Sequence, residues 1–172
     1  EMSKATQLGS VSGFTVNGKP TPKKNLGRMM MQYGYVYVAH VCLGADMQQT
    51  IDALREAEAY DGPSIVIALC PCISWGIREG MHAAVREQKR AVATGYWPLY
   101  RFNPAAPAGT DPLTIDCTVP DKTLPSFLSG QNRFASLAER EPELSALLQS
   151  ELAKDVVRGH EELVRTVEVY KG

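Results

Sequence analysis

Two β-type runs bracket an amphipathic helical pattern, and that order restricts what this chain can fold into. Residues 34–39 (GYVYVA) carry the aromatic and β-branched composition of a strand. Residues 64–69 (SIVIAL) form a continuous apolar run, as expected of a strand covered on both faces. Between them Asp46 offers an N-cap, and Met47, Ile51, Leu54 and Ala57 recur at helical spacing until Asp61-Gly62-Pro63 stops the pattern. A second helical pattern follows, with Ser74 as cap, Ile77, Met81, Val85 and Val92 on one side, and Gly95 as the stop. Residues 96–102 (YWPLYRF) read as a third strand, with Pro98 better suited to an edge or a strand start. Strand, helix, strand, helix, strand at these spacings predicts right-handed βαβ units and a parallel sheet in an α/β fold.

The flanks are simpler. Residues 24–32 (KNLGRMMMQ) predict a short helix, and the Met29-Met30-Met31 run reads as core filler. Residues 103–125 read as loop. Helix is expected over 127–140 and again from Pro142, where Leu144, Leu147, Leu148, Leu152, Val156, Leu163 and Val167 make an apolar stripe. At 172 residues the chain fits one domain with a real core. A net charge of −1 leaves no electrostatic footprint for nucleic acid or an anionic membrane, and no apolar run reaches spanning length. Four cysteines make no disulfide framework in a chain this long and predict reduced thiols inside a cell. The chain opens EMSKATQ, and residues 6–24 are rich in Gly and Pro with little periodicity, which predicts a piece of a longer polypeptide.

Candidate chemistry concentrates in IALCPCISWG, residues 67–76, where Cys70 and Cys72 sit at the end of the second strand. Ligands of open α/β sheets bind at the carboxyl ends of strands, and helix N-termini there favour anions such as a thiolate-ligated iron–sulfur cluster. With only Pro71 between them, the two cysteines are not a CxxC redox pair. Cys42 and Cys117 are isolated, against a zinc site built of two close pairs. Ferredoxin-type spacing is absent, so the chain supplies at most one ligand to a cluster. On pattern alone, two small buried hydrophobes at a strand end remain the simpler reading. His40, after the first strand, faces the expected crevice and is a candidate polar site residue. His82 on a helix and His160 on an exposed helix face read as structural or solvated, and Asp46 as a cap.

Four stretches together, GRMMMQYGYVYVAHVCLG, EAEAYDGPSIVIALCPCISWGIREGM, VATGYWPLYRFNP and SFLSGQNRFASL, resemble the C-terminal part of the thiamine-diphosphate-binding domain of pyruvate:ferredoxin (flavodoxin) oxidoreductases. The resemblance runs from residue 2 to about residue 140. It implies a thiamine-diphosphate-binding-type parallel sheet flanked by helices over residues 1–102. Residues 103–172 would be a loop and helical extension of the same domain. It also implies an enzyme that oxidatively decarboxylates pyruvate with coenzyme A to acetyl-CoA and carbon dioxide. Electrons pass through [4Fe-4S] clusters to ferredoxin or flavodoxin, with thiamine diphosphate and Mg²⁺ at the reaction centre of a homodimer.

Little of that centre falls on these residues. The family's S-N-T-G-G-Q motif, which carries the Mg²⁺ and cofactor contacts, lies just before the position of Ser3-Lys4, with Glu1 at the glutamine. The resemblance implies one metal ligand here, Cys72, the cysteine before I-x-x-G, with Cys70 as a core cysteine and Cys42 and Cys117 as non-ligands. No catalytic residue is carried over, and the chain alone is expected to be inactive. Two alternatives stand beside this reading: an NADP-coupled relative with a fused flavoprotein reductase module, and a stand-alone metal-binding or interaction module. Another 2-oxoacid in place of pyruvate stays open. The implied compartment is the cytoplasm, or a hydrogenosome or mitochondrion-related organelle in an anaerobic eukaryote.

Overall fold

A computed structural model describes residues 3–74 and 76–170; Glu1, read at the motif's glutamine, and Trp75 lie outside the described residues. Four strands, β1 (Tyr37–Val41), β2 (Ser64–Ala68), β3 (Tyr100–Phe102) and β4 (Leu113–Ile115), form one sheet in the order β2-β1-β3-β4. Among the described residues six α-helices accompany them: α1 (Leu26–Met31), α2 (Met47–Ala59), α3 (Ala84–Ala93), α4 (Leu124–Ser129), α5 (Asn132–Arg140) and α6 (Pro142–Tyr170). The α/β class and the helical tail are as expected. β1 and β2 run parallel, with Tyr37 opposite Ser64 and Val41 opposite Ala68. Beyond β1 the sheet turns antiparallel, at β1–β3 and again at β3–β4. α3, which lies between β2 and β3 in the chain, packs on α4 and reaches the end of β1 through Gln88. β4 falls within the stretch expected to be loop.

β1 is the strand covered on both faces. Tyr37, Ala39 and Val41 point to α2 and pack with Ala53, while Val38 packs with Tyr100, Phe102, Leu113 and Leu163 on the other side. β2, expected to be that covered strand, is an edge: Ser64 and Ala68 are exposed and Ile65, Val66 and Ile67 half-buried. In α2 the cap is as expected, the Asp46 carboxylate accepting the Gln49 N–H at 2.9 Å. Its inner face is not: Gln49, Thr50 and Ala53 are buried, while Met47 and Leu54 are exposed. Small and hydrogen-bonded residues let the helix lie close on β1, and the bulkier apolar side chains are turned outward.

Residues 3–24 wrap a buried lysine. Lys19 is 1% exposed, and its ammonium donates to the carbonyls of Thr6 at 2.6 Å, Pro22 at 3.3 Å and Lys4 at 3.4 Å. Three carbonyls replace the water that a buried lysine loses. The Val11 N–H, donating to the Arg133 carbonyl at 2.8 Å, ties this strap to α5. On α6 the apolar stripe is inward at Leu148, Leu152, Val156 and Leu163, whereas Leu147 is exposed. Of the methionine run only Met31 is fully buried, and Met29 is exposed.

Candidate functional site

The last sheet-type bond along β2 runs from the Leu69 N–H to the Val41 carbonyl at 3.0 Å. Cys70, Pro71 and Cys72 then leave the sheet. Both cysteines are exposed, so the expected core position of Cys70 is corrected. The cause is local: β2 is an edge, and Pro71 has no N–H with which to continue a ladder. Cys42 and Cys117 behave differently. Cys42 is fully buried, donates its thiol to Gln88 Oε1 at 3.3 Å, and has its pKa pushed up by burial. Cys117 is half-buried and raised for the same reason. The cysteines thus divide into an accessible pair on one loop and two interior thiols.

The helix expected directly after Cys72 begins later, with a 3-10 turn over Met81–Ala83 leading into α3. Ser74 caps nothing there. Gly76 and Gly80 adopt φ of +74° and +93°, left-handed conformations that break helical continuity. Ile77 instead pairs with Gln131 in an isolated bridge and is buried, while Met81 and Val85 are exposed. Gly95 does end the helical run, at φ +72°. The thiols therefore stand on a loop and not at a helix N-terminus.

Beside this loop lies a cavity of about 350 Å³, lined by Cys70, Pro71, Lys23, Trp97, Phe127 and Gln131 among others. Its wall holds a buried carboxylate, Glu87, which pairs with Arg90 at 3.0 Å and accepts from Gln131 Nε2 at 2.7 Å. A second cavity, about 250 Å³, shares Lys23 and Trp97 and is also lined by His40, Tyr100 and His160. Lys23 stands 4.5 Å from the Trp97 ring centroid, and burial lowers its pKa. Trp97 falls in the stretch read as the third strand, whereas Lys23 carries no sequence pattern of its own. A lysine in a Gly/Pro-rich strap has no signal of its own until the strap folds over the tryptophan. His82 sits in the 3-10 turn rather than mid-helix, and His160 is half-buried rather than exposed.

His40 lies within β1, its ring stacked on Trp97 at 3.9 Å and on Tyr100 at 5.2 Å between centroids. Nδ1 donates to the Pro98 carbonyl at 2.6 Å, which fixes the proton on that nitrogen in the neutral ring. Burial, partly opposed by that bond, lowers the pKa to about 4. Between about pH 6.5 and about pH 4 the unfolded chain takes up a proton here that the folded chain refuses. Stability must therefore rise with pH across that window and be lost as pH falls through it. A difference of about 2.5 pKa units corresponds to ~3 kcal/mol. His40→Gln is expected to remove ~3 kcal/mol of pH dependence from the unfolding free energy across that window, measured by urea titration at several pH values. An unchanged slope would show that His40 is not the group responsible.

Among the described residues no group of three or more His, Cys, Asp or Glu side chains converges on a metal position. No described helix is long and apolar enough to cross a membrane.

No protein-family model matches the chain. Curated proteins do. The chain is 48% identical over 156 residues to the pyruvate:ferredoxin oxidoreductase of Moorella thermoacetica, covering 90% of this chain and 13% of that protein. It is 45% identical over 156 residues to a pyruvate-flavodoxin oxidoreductase of Klebsiella pneumoniae, covering 90% and 13%. A mitochondrial NADP+ pyruvate dehydrogenase of Euglena gracilis is 45% identical over 157 residues, covering 91% of this chain and 9% of that protein. The chain thus spans 13% or less of the length of these relatives.

Proposed function

We propose that this chain, a homologue of one segment of the pyruvate:ferredoxin and pyruvate-flavodoxin oxidoreductases, serves as the cluster-facing part of the thiamine-binding domain in such an enzyme. The parent protein would oxidise pyruvate with coenzyme A to acetyl-CoA and carbon dioxide. It would pass electrons to ferredoxin or flavodoxin and act in solution as a homodimer. Residues 1–102 and the extension 103–172 would form one domain, since α6 packs on β4 and supplies Leu163 to the core beneath β1 and β3.

The observation that carries the reading is the exposed thiol of Cys72 on the loop leaving β2, in a chain nearly half identical to these enzymes. A [4Fe-4S] cluster, when bound, supplies single-electron transfer. Two of the four thiols are placed where they could meet such a cluster. Cys42 and Cys117 are interior and face other partners, while Cys70 and Cys72 are open to solvent. With no converging ligand group among the described residues, the remaining thiolates must come from other parts of the parent. Thiamine diphosphate and Mg²⁺ would likewise be held mainly by other segments. Within this chain the residues' own work is to hold the loop. Leu69 is fastened to Val41 at one end, and the Gly76 carbonyl accepts the Asn132 N–H at 2.7 Å at the other.

The test uses the full-length protein carrying this segment, purified without oxygen. With pyruvate and coenzyme A it should reduce ferredoxin or flavodoxin, and Cys70→Ala/Cys72→Ala should lose about one cluster's worth of iron per chain. Full iron retention in the double variant would overturn the ligand reading. The Euglena relative supports a second reading, in which NADP+ is the acceptor. Reduction of NADP+ without added ferredoxin or flavodoxin would select it.

A further inference from the structure

We propose that the two cavities meeting at Lys23 form one binding site for a small organic carboxylate. Its anionic head would sit on the Lys23 ammonium and its apolar body between the surrounding aromatic rings. The site is independent of the cluster-ligand reading, since neither cysteine of the loop after β2 supplies the charge it uses. Lys23 is half-buried, and its ammonium makes no hydrogen bond or ion pair with any described residue; what it meets is the Trp97 ring, 4.5 Å from the centroid. A partly desolvated cation with only a ring face in place of water has most to gain from an anion. The described walls carry one carboxylate in each cavity, and both are committed elsewhere. Glu87 faces Arg90 at 3.0 Å and Arg86 at 3.4 Å, and accepts from Gln131 at 2.7 Å. Asp155 pairs with Arg158. Lys19 adds further positive charge, because the three carbonyls that hold its ammonium are neutral groups. Burial first, and then the charge of Lys19, lowers the Lys23 pKa.

Shape supports the same reading. Ala5, Gln7, Lys23, Tyr96 and Trp97 line both cavities, so the cation stands on a common wall. From there the first cavity, about 350 Å³, runs past Phe127, and the second, about 250 Å³, runs past Tyr100. Pockets for small molecules begin at about 300 Å³ and are mostly apolar with a few placed polar groups. Tyr96, Trp97 and Tyr100 are each under 9% exposed and held by packing, so the walls are formed before a ligand arrives. The head group follows from the charge available. The common wall offers one ammonium and no guanidinium, which matches the single charge of a carboxylate. A phosphate ester carries close to two charges and is met more often by arginine forks.

The experiment uses the full-length protein carrying this segment and reads Lys23 directly. Lysines are reductively methylated with isotope-labelled formaldehyde, and mass spectrometry follows each residue with and without benzoate. Saturating benzoate should slow Lys23 methylation about ten-fold, the effect of one pKa unit on the free-amine fraction when an anion pairs with it. Exposed Lys24, next in the chain, should keep its rate. Benzyl alcohol, the same ring without the charge, and sodium chloride at matched ionic strength should leave Lys23 nearly unprotected. In fluorine NMR, Lys23→Met should lose a saturable 4-fluorobenzoate binding step that wild type shows. Methionine keeps the apolar stem, and wild-type iron content in that variant separates loss of ligand from loss of fold. Equal Lys23 rates with and without benzoate overturn the proposal. Protection by benzyl alcohol as strong as by benzoate overturns it too, because the cavity then reads no charge. Stronger protection by phenyl phosphate than by benzoate refutes the carboxylate assignment. A Lys23 that resists methylation with no ligand present is covered by other parts of the parent, and no site is open there. None of these outcomes depends on whether the cysteine variants keep their iron, so this proposal and the cluster reading fail separately.

Discussion

Arg101→Met should destabilise the fold by about 3 kcal/mol, a large fraction of what a domain of this size has to lose. The guanidinium on β3 makes a two-pronged pair with Asp116, Nε to Oδ2 at 2.8 Å and Nη2 to Oδ1 at 3.0 Å. Its third nitrogen, Nη1, pairs with Glu56 of α2. Around these sit two more donors: Tyr37 Oη donates to Glu56 at 2.8 Å, and Gln49 Nε2 to Asp116 at 3.0 Å. One cation therefore neutralises two carboxylates held against the sheet by α2 and the segment after β4. Methionine preserves the packing of the stem but leaves both carboxylates facing each other with only neutral donors. Glu56 is 35% exposed and can recover some water, which places the expected cost at the lower end for a broken buried pair. Denaturant unfolding measures it. Adding Glu56→Gln and Asp116→Asn to Arg101→Met should restore much of the loss, because the uncompensated charge is then gone. A single variant within about 0.5 kcal/mol of wild type would show that the network contributes nothing beyond a surface pair.

That network also marks where sequence reading stopped. β1, α2 and β2 could be read because composition and stop signals are local: the aromatic and β-branched run, the Asp46 cap, the Asp61-Gly62-Pro63 break. Direction is not local. The third strand was legible in residues 96–102, but its antiparallel pairing with β1 was not, and the three-residue strand Leu113–Ile115 has no period long enough to show. The inner face of α2 was misjudged because Gln49, a polar residue, is buried by its bonds to Asp116 and the His40 carbonyl, while Met47 and Leu54 are not needed there. Ile77, Met81 and Val85 repeat at helical spacing, yet Gly76 before Ile77 and Gly80 before Met81 have positive φ, and the helix starts only after Gly80. As for the site, the junction after β2 was evident from the apolar run ending in cysteines. The exposure of Cys70 was not, because IALCPC stays apolar past the point where the strand ends. Lys23 over Trp97 is a contact across 74 residues that no pattern announces.

Gly27→Ala should invert the usual sign of a glycine-to-alanine change in a helix. In an exposed helix interior alanine is favoured over glycine by about 1 kcal/mol. Gly27 is instead the point where α1 touches β3: a Cβ built there falls 1.9 Å from the Tyr100 hydroxyl oxygen, 3.1 Å from its Cζ and 3.5 Å from Val38 Cγ1. Tyr100 is 2% exposed and stacked on His40, so its ring has little room to retreat. Either α1 lifts from the sheet or the stack shifts, and overpacking of this kind costs roughly 1–3 kcal/mol, with the higher figure expected for so deep an overlap. The contact can be isolated by removing the hydroxyl. Tyr100→Phe alone deletes a hydroxyl that bonds to none of the described residues and should cost under about 1 kcal/mol. In that background Gly27→Ala meets only the ring carbon at a tight but tolerable separation, and most of its cost should vanish. The measured quantity is the coupling between the two substitutions in a double-mutant cycle, expected to exceed about 1 kcal/mol. Additive effects would place the strain of Gly27→Ala elsewhere than at the Tyr100 hydroxyl, and α1 would not be seated on β3 through this pair.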